Sequence, residues 1–90
     1  MNRPLLRTEP FVRAIKKYIR KHPDRALEIQ QAFEQLAADA FHPGLKTHKL
    51  KGKLEECYAF RLKGGFRVLF EYLDSETVNL LDIGPHDIYR

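Results

Sequence analysis

Cysteine and long apolar runs are almost missing from this sequence of 90 residues. The lone Cys57 cannot form an internal disulfide, which fits a reducing compartment. The first ten residues contain no extended apolar run, so we expect neither a secretion signal nor a membrane span. The sequence therefore predicts a cytoplasmic protein without a membrane partner, and its length predicts a single domain over residues 1–90.

The motifs of several catalytic classes are also missing. The sequence has no H-x-x-x-H pair, no paired cysteines and no carboxylate cluster beside a histidine, so we expect neither a metal site nor a cofactor. It has no phosphate-binding glycine loop and no nucleophile elbow. The remaining chemistry-bearing residues are Arg, Lys, His and Tyr. This set is able to cleave RNA without a metal, by activating the ribose 2′-OH and stabilising the charged phosphorane.

Positive charge is concentrated in the middle of the chain. The net charge is +4, yet residues 68–89 contain five acidic residues and no Lys or Arg. Residues 42–67 contain two glutamates against seven cations, which are Lys46, Lys49, Lys51, Lys53, Arg61, Lys63 and Arg67. A basic segment of this kind predicts a polyanionic partner, most simply nucleic acid. A solvated lysine surface is the alternative that charge alone leaves open.

The first half of the chain has the apolar spacing of helices. Residues 3–7 are consistent with a short edge strand, and Thr8 is a plausible N-cap for a helix that follows. A second apolar stripe begins at Ile29, after the break at 22–24, and the FHPG segment at 41–44 ends it. These two helices predict a helical hairpin with one apolar face to cover.

The second half alternates with a period of two, as strands do. We expect strands within 47–53, 57–63, 66–73 and 77–83. A loop of Lys63-Gly64-Gly65 pairs Leu62 with Phe66 and keeps every aromatic side chain on one face. The predicted fold is α+β: a small antiparallel sheet with the N-terminal helical hairpin packed on one face and a basic groove on the other.

The same register sets Arg61 opposite Arg67. Facing like charges destabilise an antiparallel pair, so a bound anion is the natural reason to keep them. Guanidinium groups bind phosphate through two parallel hydrogen bonds, which suits this pair to a phosphate; two solvated arginines are the alternative. His48 and His86 are candidate acid–base groups. Alternation within its own strand groups His48 with Leu50, and alone does not bring it to the arginines.

Three segments carry a family resemblance. They are THKLKGKLEECYAFRL (47–62), GFRVLFEY (65–72) and LLDIGPHDIYR (80–90), with specific elements at 48–52 and 83–89. The chain resembles the RelE/ParE toxin superfamily, and most of all its RelE-like, YafQ-type branch. The sequence departs from these relatives at Ala59, where RelE-type members carry a second lysine, and at Gly65, where YafQ-like members carry an acidic residue.

The resemblance implies a toxin of a type II toxin–antitoxin system that cleaves mRNA on the ribosome. It places family functional positions at Arg61 and Arg67, at His48 as general base and His86 as general acid, and at Tyr89 near the end of the chain. We expect Lys46, Lys49, Lys51, Lys53 and Lys63 to contact RNA. The implied partners are a cognate antitoxin, the ribosome with its mRNA, and operator DNA through the antitoxin only.

The superfamily also contains gyrase inhibitors that act by binding on the same fold. Members of that branch lack the His/Arg set, so the four residues His48, Arg61, Arg67 and His86 favour the ribonuclease. A ParE-like gyrase inhibitor is therefore the second hypothesis.

Overall fold

Two helices pack on one face of a five-stranded sheet in the computed structural model, which describes residues 3–50 and 57–85. The elements in chain order are β1 (Leu5–Arg7), α1 (Glu9–Lys21), α2 (Ala26–Ala38), β2 (His48–Lys49), β3 (Cys57–Arg61), β4 (Arg67–Tyr72) and β5 (Val78–Gly84). The predicted α+β class, with the helices before the main strands, is confirmed.

Helix α1 begins where the sequence predicts. The hydroxyl oxygen of Thr8 accepts a hydrogen bond from the backbone N–H of Phe11 at 3.2 Å, which is the N-cap contact. The same hydroxyl lies 3.0 Å from the carbonyl oxygen of Leu80 and donates to it. Since Leu80 belongs to β5, Thr8 fixes the start of α1 to an inner strand of the sheet.

Helix α2 follows a 3₁₀ turn at Pro23–Arg25 and ends at Ala38, three residues before the FHPG segment. Phe33 of α2 contacts Phe11 of α1 edge-to-face, with ring centroids 5.8 Å apart, and Phe60 of β3 at 5.9 Å. This aromatic chain joins both helices to the sheet. Neither helix in the described part of the chain is long and apolar enough to cross a membrane.

The sheet has the strand order β1-β5-β4-β3-β2. Strands β2 to β5 pair antiparallel as predicted, but β1 pairs with β5 in parallel, so the sheet is mixed. Both helices and three strands lie between β1 and β5 in the chain. A connection of this length allows the two strands to pair in parallel, which a short hairpin turn does not. Strand β2 contains only His48 and Lys49, and residues 51–53 of the predicted strand lie outside the described residues.

Both hairpin turns contain residues that suit their backbone conformation. Gly64 and Gly65 both have positive φ, 77° and 79°, and Leu62 N–H donates to the Phe66 carbonyl at 2.8 Å. This confirms the Lys63-Gly64-Gly65 loop and its register. In the second turn, the Asp74 carboxylate accepts from the backbone N–H groups of Glu76 and Thr77, and these bonds lower the pKa of Asp74.

The aromatic face of the sheet forms the core with the helices. Its fully buried side chains include Phe60, Val68 and Phe70 of the sheet, together with Phe11 and Leu36 of the helices. Removing one of these large side chains leaves a cavity that close-packed neighbours fill only in part.

We expect Phe70→Ala to lower the free energy of unfolding by about 3–5 kcal/mol, because it removes a fully buried ring at the centre of the sheet. Leu73→Ala, at an exposed position directly after β4, is the matched control and should cost within about 0.5 kcal/mol. Urea denaturation of both variants measures the difference. Equal costs would contradict this description of the core.

Candidate functional site

Arg61 and Arg67 face each other across the β3–β4 hairpin, as predicted. The neighbouring pair, Leu62 and Phe66, is hydrogen-bonded, so the arginine pair is the non-hydrogen-bonded kind, in which α-carbons stand about 4.5 Å apart. Arg61 is exposed and Arg67 is half-buried. The Arg67 guanidinium donates to the carbonyl of Gly65 at 3.2 Å, which directs it toward the turn. Two arginine side chains therefore start from directly opposite positions on one face, at one end of the sheet.

The predicted basic groove is wrong as a description of the whole face. The face turned away from the helices is basic only at the hairpin end. Asp82 lies next to the arginine row, in register with Leu69, and Glu71 lies toward the other end, where its carboxylate accepts a hydrogen bond from Asn79 at 3.0 Å. Between the two ends, Ala59 and Leu69 are buried. Charge counted along the sequence did not predict this division, because β4 and β5 place the acidic residues Glu71 and Asp82 on the same face as the arginines.

His48 lies on the arginine side of the sheet. Its register partner is Ala59, two residues before Arg61, so it shares the face of Arg61 and Arg67. Strand spacing and rise give about 8 Å between the α-carbons of His48 and Arg61. The sequence left this placement open because the pairing of β2 with β3 cannot be read from alternation inside β2.

The ring of His48 has a defined orientation. Its Nδ1 lies 3.2 Å from the carbonyl oxygen of Lys46. A carbonyl oxygen only accepts, so the neutral ring carries its proton on Nδ1 in this contact, and Nε2 is the basic nitrogen. Lys46 itself has a left-handed φ of 53°, and the Thr47 hydroxyl donates to the Ala40 carbonyl at 2.6 Å. These local contacts hold the loop that delivers His48 to the sheet.

The predicted RNA-contacting lysines do not form one cluster. Lys46 and Lys63 are exposed in turns. Lys49 is opposite Tyr58, so its strand position belongs to the helix-side face at the sheet edge and not to the arginine face. Lys51 and Lys53 lie outside the described residues, as do His86 and Tyr89, so their roles stay predictions.

The hairpin turn is attached to the helices by two residues that sequence reasoning missed. Arg25 Nη1 donates to the carbonyl of Lys63 and to the hydroxyl of Tyr18, both at 3.3 Å. The Glu28 carboxylate accepts from the backbone N–H of Lys63 at 3.1 Å. Together these contacts clamp the turn that precedes Arg67.

The clamp also constrains Gly64 and the charge of Arg25. A Cβ placed on Gly64 would lie 2.5 Å from Arg25 Nη1, so the guanidinium occupies the space a side chain would need. The hydrogen bond to Tyr18 raises the pKa of Arg25. No sequence signal pointed to the clamp, because its partners are 35 and 38 residues apart.

Residues 3–50 and 57–85 contain no cluster of three or more His, Cys, Asp or Glu side chains that would hold a metal ion. The arrangement in the described part of the chain therefore consists of paired guanidinium groups, one imidazole on the same face, and lysines in the adjoining turns. Such a set binds and polarises a phosphate group.

The chain matches the sequence profile of a toxin family. The sequence profile of a family described as the RelE-like toxin of type II toxin–antitoxin system HigB matches residues 8–86. That span is most of the chain, so the protein belongs to the HigB-like family of RelE-like toxins. No curated relative matches the sequence at a significant level.

Solved structures of bacterial toxins share the fold. The chain is 18% identical to a YoeB/ParE toxin from Agrobacterium tumefaciens, with a TM-score of 0.75 over 92% of this chain and 98% of that one. It is 12% identical to a chain of the Escherichia coli DinJ–YafQ complex, with a TM-score of 0.75 over 96% and 94%. A copper-bound mutant toxin from Helicobacter pylori is 18% identical, with a TM-score of 0.73 over 93% and 94%. At these identities the likeness is one of fold.

The clamp predicts different costs for two adjacent glycines. Gly65→Ala should cost about 1–2 kcal/mol of unfolding free energy, since both glycines have positive φ. Gly64→Ala should cost more, because its methyl group displaces the end of the Arg25 side chain from its hydrogen bonds to Lys63 and Tyr18, whereas nothing lies within 4 Å of a Cβ at Gly65. Chemical denaturation of the two variants measures the excess.

The Arg25→Ala background is the control for that excess. There the methyl group on residue 64 has no guanidinium to meet, so the cost of Gly64→Ala should fall to that of Gly65→Ala. An excess that persists without Arg25 would mean that the clamp does not determine the shape of the turn.

Proposed function

We propose that the protein is a ribosome-dependent endoribonuclease that cleaves mRNA and thereby inhibits translation. The observation that carries this proposal is the pair Arg61 and Arg67, which face each other in register across the hairpin. Their like charges repel each other unless an anion binds there. Two preorganised guanidinium groups match the charge and geometry of a phosphate that is gaining negative charge. Membership in the HigB-like family of toxins agrees with an action of this kind.

The proposed reaction is an internal transfer at phosphorus without a metal. A base takes the proton of the ribose 2′-OH, and that oxygen attacks the adjacent phosphorus. The arginine pair stabilises the phosphorane, and the bond to the 5′ oxygen breaks as an acid gives that oxygen a proton. The products are a 2′,3′-cyclic phosphate and a free 5′-OH.

His48 is proposed as the base, because it shares the sheet face of the arginines and its contact with the Lys46 carbonyl makes Nε2 the basic nitrogen. His86 is proposed as the acid, with a contribution from Tyr89, on the family resemblance alone. Lys46, Lys49, Lys51, Lys53 and Lys63 are proposed to contact the RNA backbone.

A cognate antitoxin is the proposed protein partner, with operator DNA reached only through it. A protein of the same fold is in a toxin–antitoxin complex, DinJ–YafQ. An antitoxin segment that covers the hairpin end would place acidic side chains against Arg61 and Arg67, which an isolated toxin leaves in solvent.

The proposal predicts opposite effects of the arginines on stability and on rate. Arg61→Ala and Arg67→Ala should each slow single-turnover cleavage of mRNA on translating ribosomes by about 10²–10³. The fold should remain as stable or become slightly more stable, since a repulsion is removed. Arg67→Lys should recover only part of the rate, because an ammonium group lacks the fork.

Arg7→Ala is the matched control, since Arg7 is an exposed strand arginine whose register partner, Leu80, lies on the helix-side face. It should keep the wild-type rate. Intact mRNA together with a block of DNA gyrase would replace this proposal with the binding toxin. Folded arginine variants that cut at the wild-type rate would make the pair structural.

A further inference from the structure

Helix α1 presents a second concentration of positive charge, outside the candidate site. Arg13, Lys16, Lys17, Arg20 and Lys21 are all exposed and recur at i, i+3, i+4, i+7 and i+8. This spacing puts them on one face of the helix, over a length of about 12 Å. We call these five residues the cationic stripe. They line one shallow surface groove together.

The stripe repels itself. Cations three or four positions apart on a helix destabilise it, and the stripe contains several such pairs. In the described part of the chain its one ion pair joins Arg13 to Glu9 at 4.0 Å, where both side chains are largely exposed. The adjacent helix α2 contains no Lys or Arg. Within the described residues, the other four cations of the stripe form no ion pair.

The stripe leads to the same end of the sheet as the arginine pair. Lys17 and Lys21 also line a second pocket, of about 390 Å³, whose opposite wall includes Gly84. Gly84 is the register partner of Arg67. The pocket also contains the ring of Phe66, which directly precedes Arg67 in the chain. Phe66 points to the helix-side face and Arg67 to the opposite face, so a strand bound at the arginine pair reaches this pocket and α1 by passing around this end of the sheet.

The rings in the pocket suit an unpaired base. Phe66 and Tyr18 are in edge-to-face contact with centroids 4.6 Å apart, and His22 lies 5.5 Å from Phe66. Phe66 and His22 are only half-buried, so part of each ring faces the pocket. Aromatic side chains beside lysines are the usual means of holding single-stranded nucleic acid.

A protein partner fits the stripe less well. Protein interfaces need buried apolar anchors, and the exposed large apolar residues in the described part of the chain lie elsewhere, at Leu6, Leu27, Phe41 and Leu73. A phosphodiester backbone needs only cations. We infer that the cationic stripe of α1 binds the RNA backbone next to the segment held by the arginine pair. The inference rests on the proposed function for the identity of the polyanion.

The test is the salt dependence of RNA binding, which does not require cleavage. A fluorescein-labelled single-stranded RNA is titrated with the full chain over a range of KCl concentrations, and anisotropy gives the binding constant. In Lys16→Gln/Arg20→Gln, loss of two phosphate contacts should reduce the slope of log K against log salt by about 1.4. A second pair, Lys17→Gln/Lys21→Gln, should give a similar reduction.

The control variant is Gln30→Glu/Gln31→Glu on α2, which changes the net charge by the same amount at exposed positions. Its slope should equal that of the wild type, because no phosphate contact is lost. The same titration with an RNA hairpin distinguishes a messenger-like single strand from a ribosomal duplex as the preferred ligand.

Wild-type slopes in both stripe variants would overturn the inference, and so would equal reductions in the stripe and control variants. An effect of the stripe variants on antitoxin binding alone, with RNA slopes unchanged, would assign the surface to the antitoxin and also overturn it. A reduced slope in a protein that leaves mRNA intact on ribosomes would keep the RNA surface and reject the nuclease, so the two proposals fail separately.

Discussion

The repulsion between Arg61 and Arg67 is the constraint on which the proposed site depends. Antiparallel pairing places their α-carbons at the closest separation that a sheet allows. Asp82 of β5 is a diagonal neighbour of Arg67 on the same face, but within the described residues neither arginine forms an ion pair. Such a pair is unfavourable until an anion is bound between the forks. The rest of the structure keeps it in place: the core packs the aromatic face of the hairpin, and Arg25 and Glu28 clamp its turn to the helices.

The clamp connects this site to the helical half of the chain. The backbone N–H of Lys63 donates to Glu28 at the start of α2, and its carbonyl accepts from Arg25 in the turn before that helix. Its neighbour Gly64 has a positive φ and no side chain, so Arg25 is able to approach closely. These contacts show that the helices support the hairpin as well as covering the core. The position of Arg67 thus depends on residues about forty positions earlier.

The sequence predicted the arginine pair but not its surroundings, and the reason is physical. Alternation and the glycine pair fix the register of the β3–β4 hairpin, because only one register puts Phe60, Phe66 and Phe70 on the same face. A longer connection joins β2 to β3, so the sequence does not fix how the two strands pair. Alternation inside β2 therefore could not assign His48 to a face. The parallel pairing of β1 and the contacts of Arg25 arise between distant segments. Lys49 was grouped with the arginines from charge alone, and strand pairing separates it from them.

A double-mutant cycle on Arg61→Gln and Arg67→Gln, measured as unfolding free energy with and without inorganic phosphate, tests the central claim most directly. In chloride the coupling between the two arginines should be unfavourable, by a few tenths to ~1 kcal/mol. In phosphate it should become favourable, because both guanidinium groups then share one anion. A coupling near zero in both solutions would mean that the side chains splay apart into solvent, and it would contradict the account of Arg61 and Arg67 as a phosphate site.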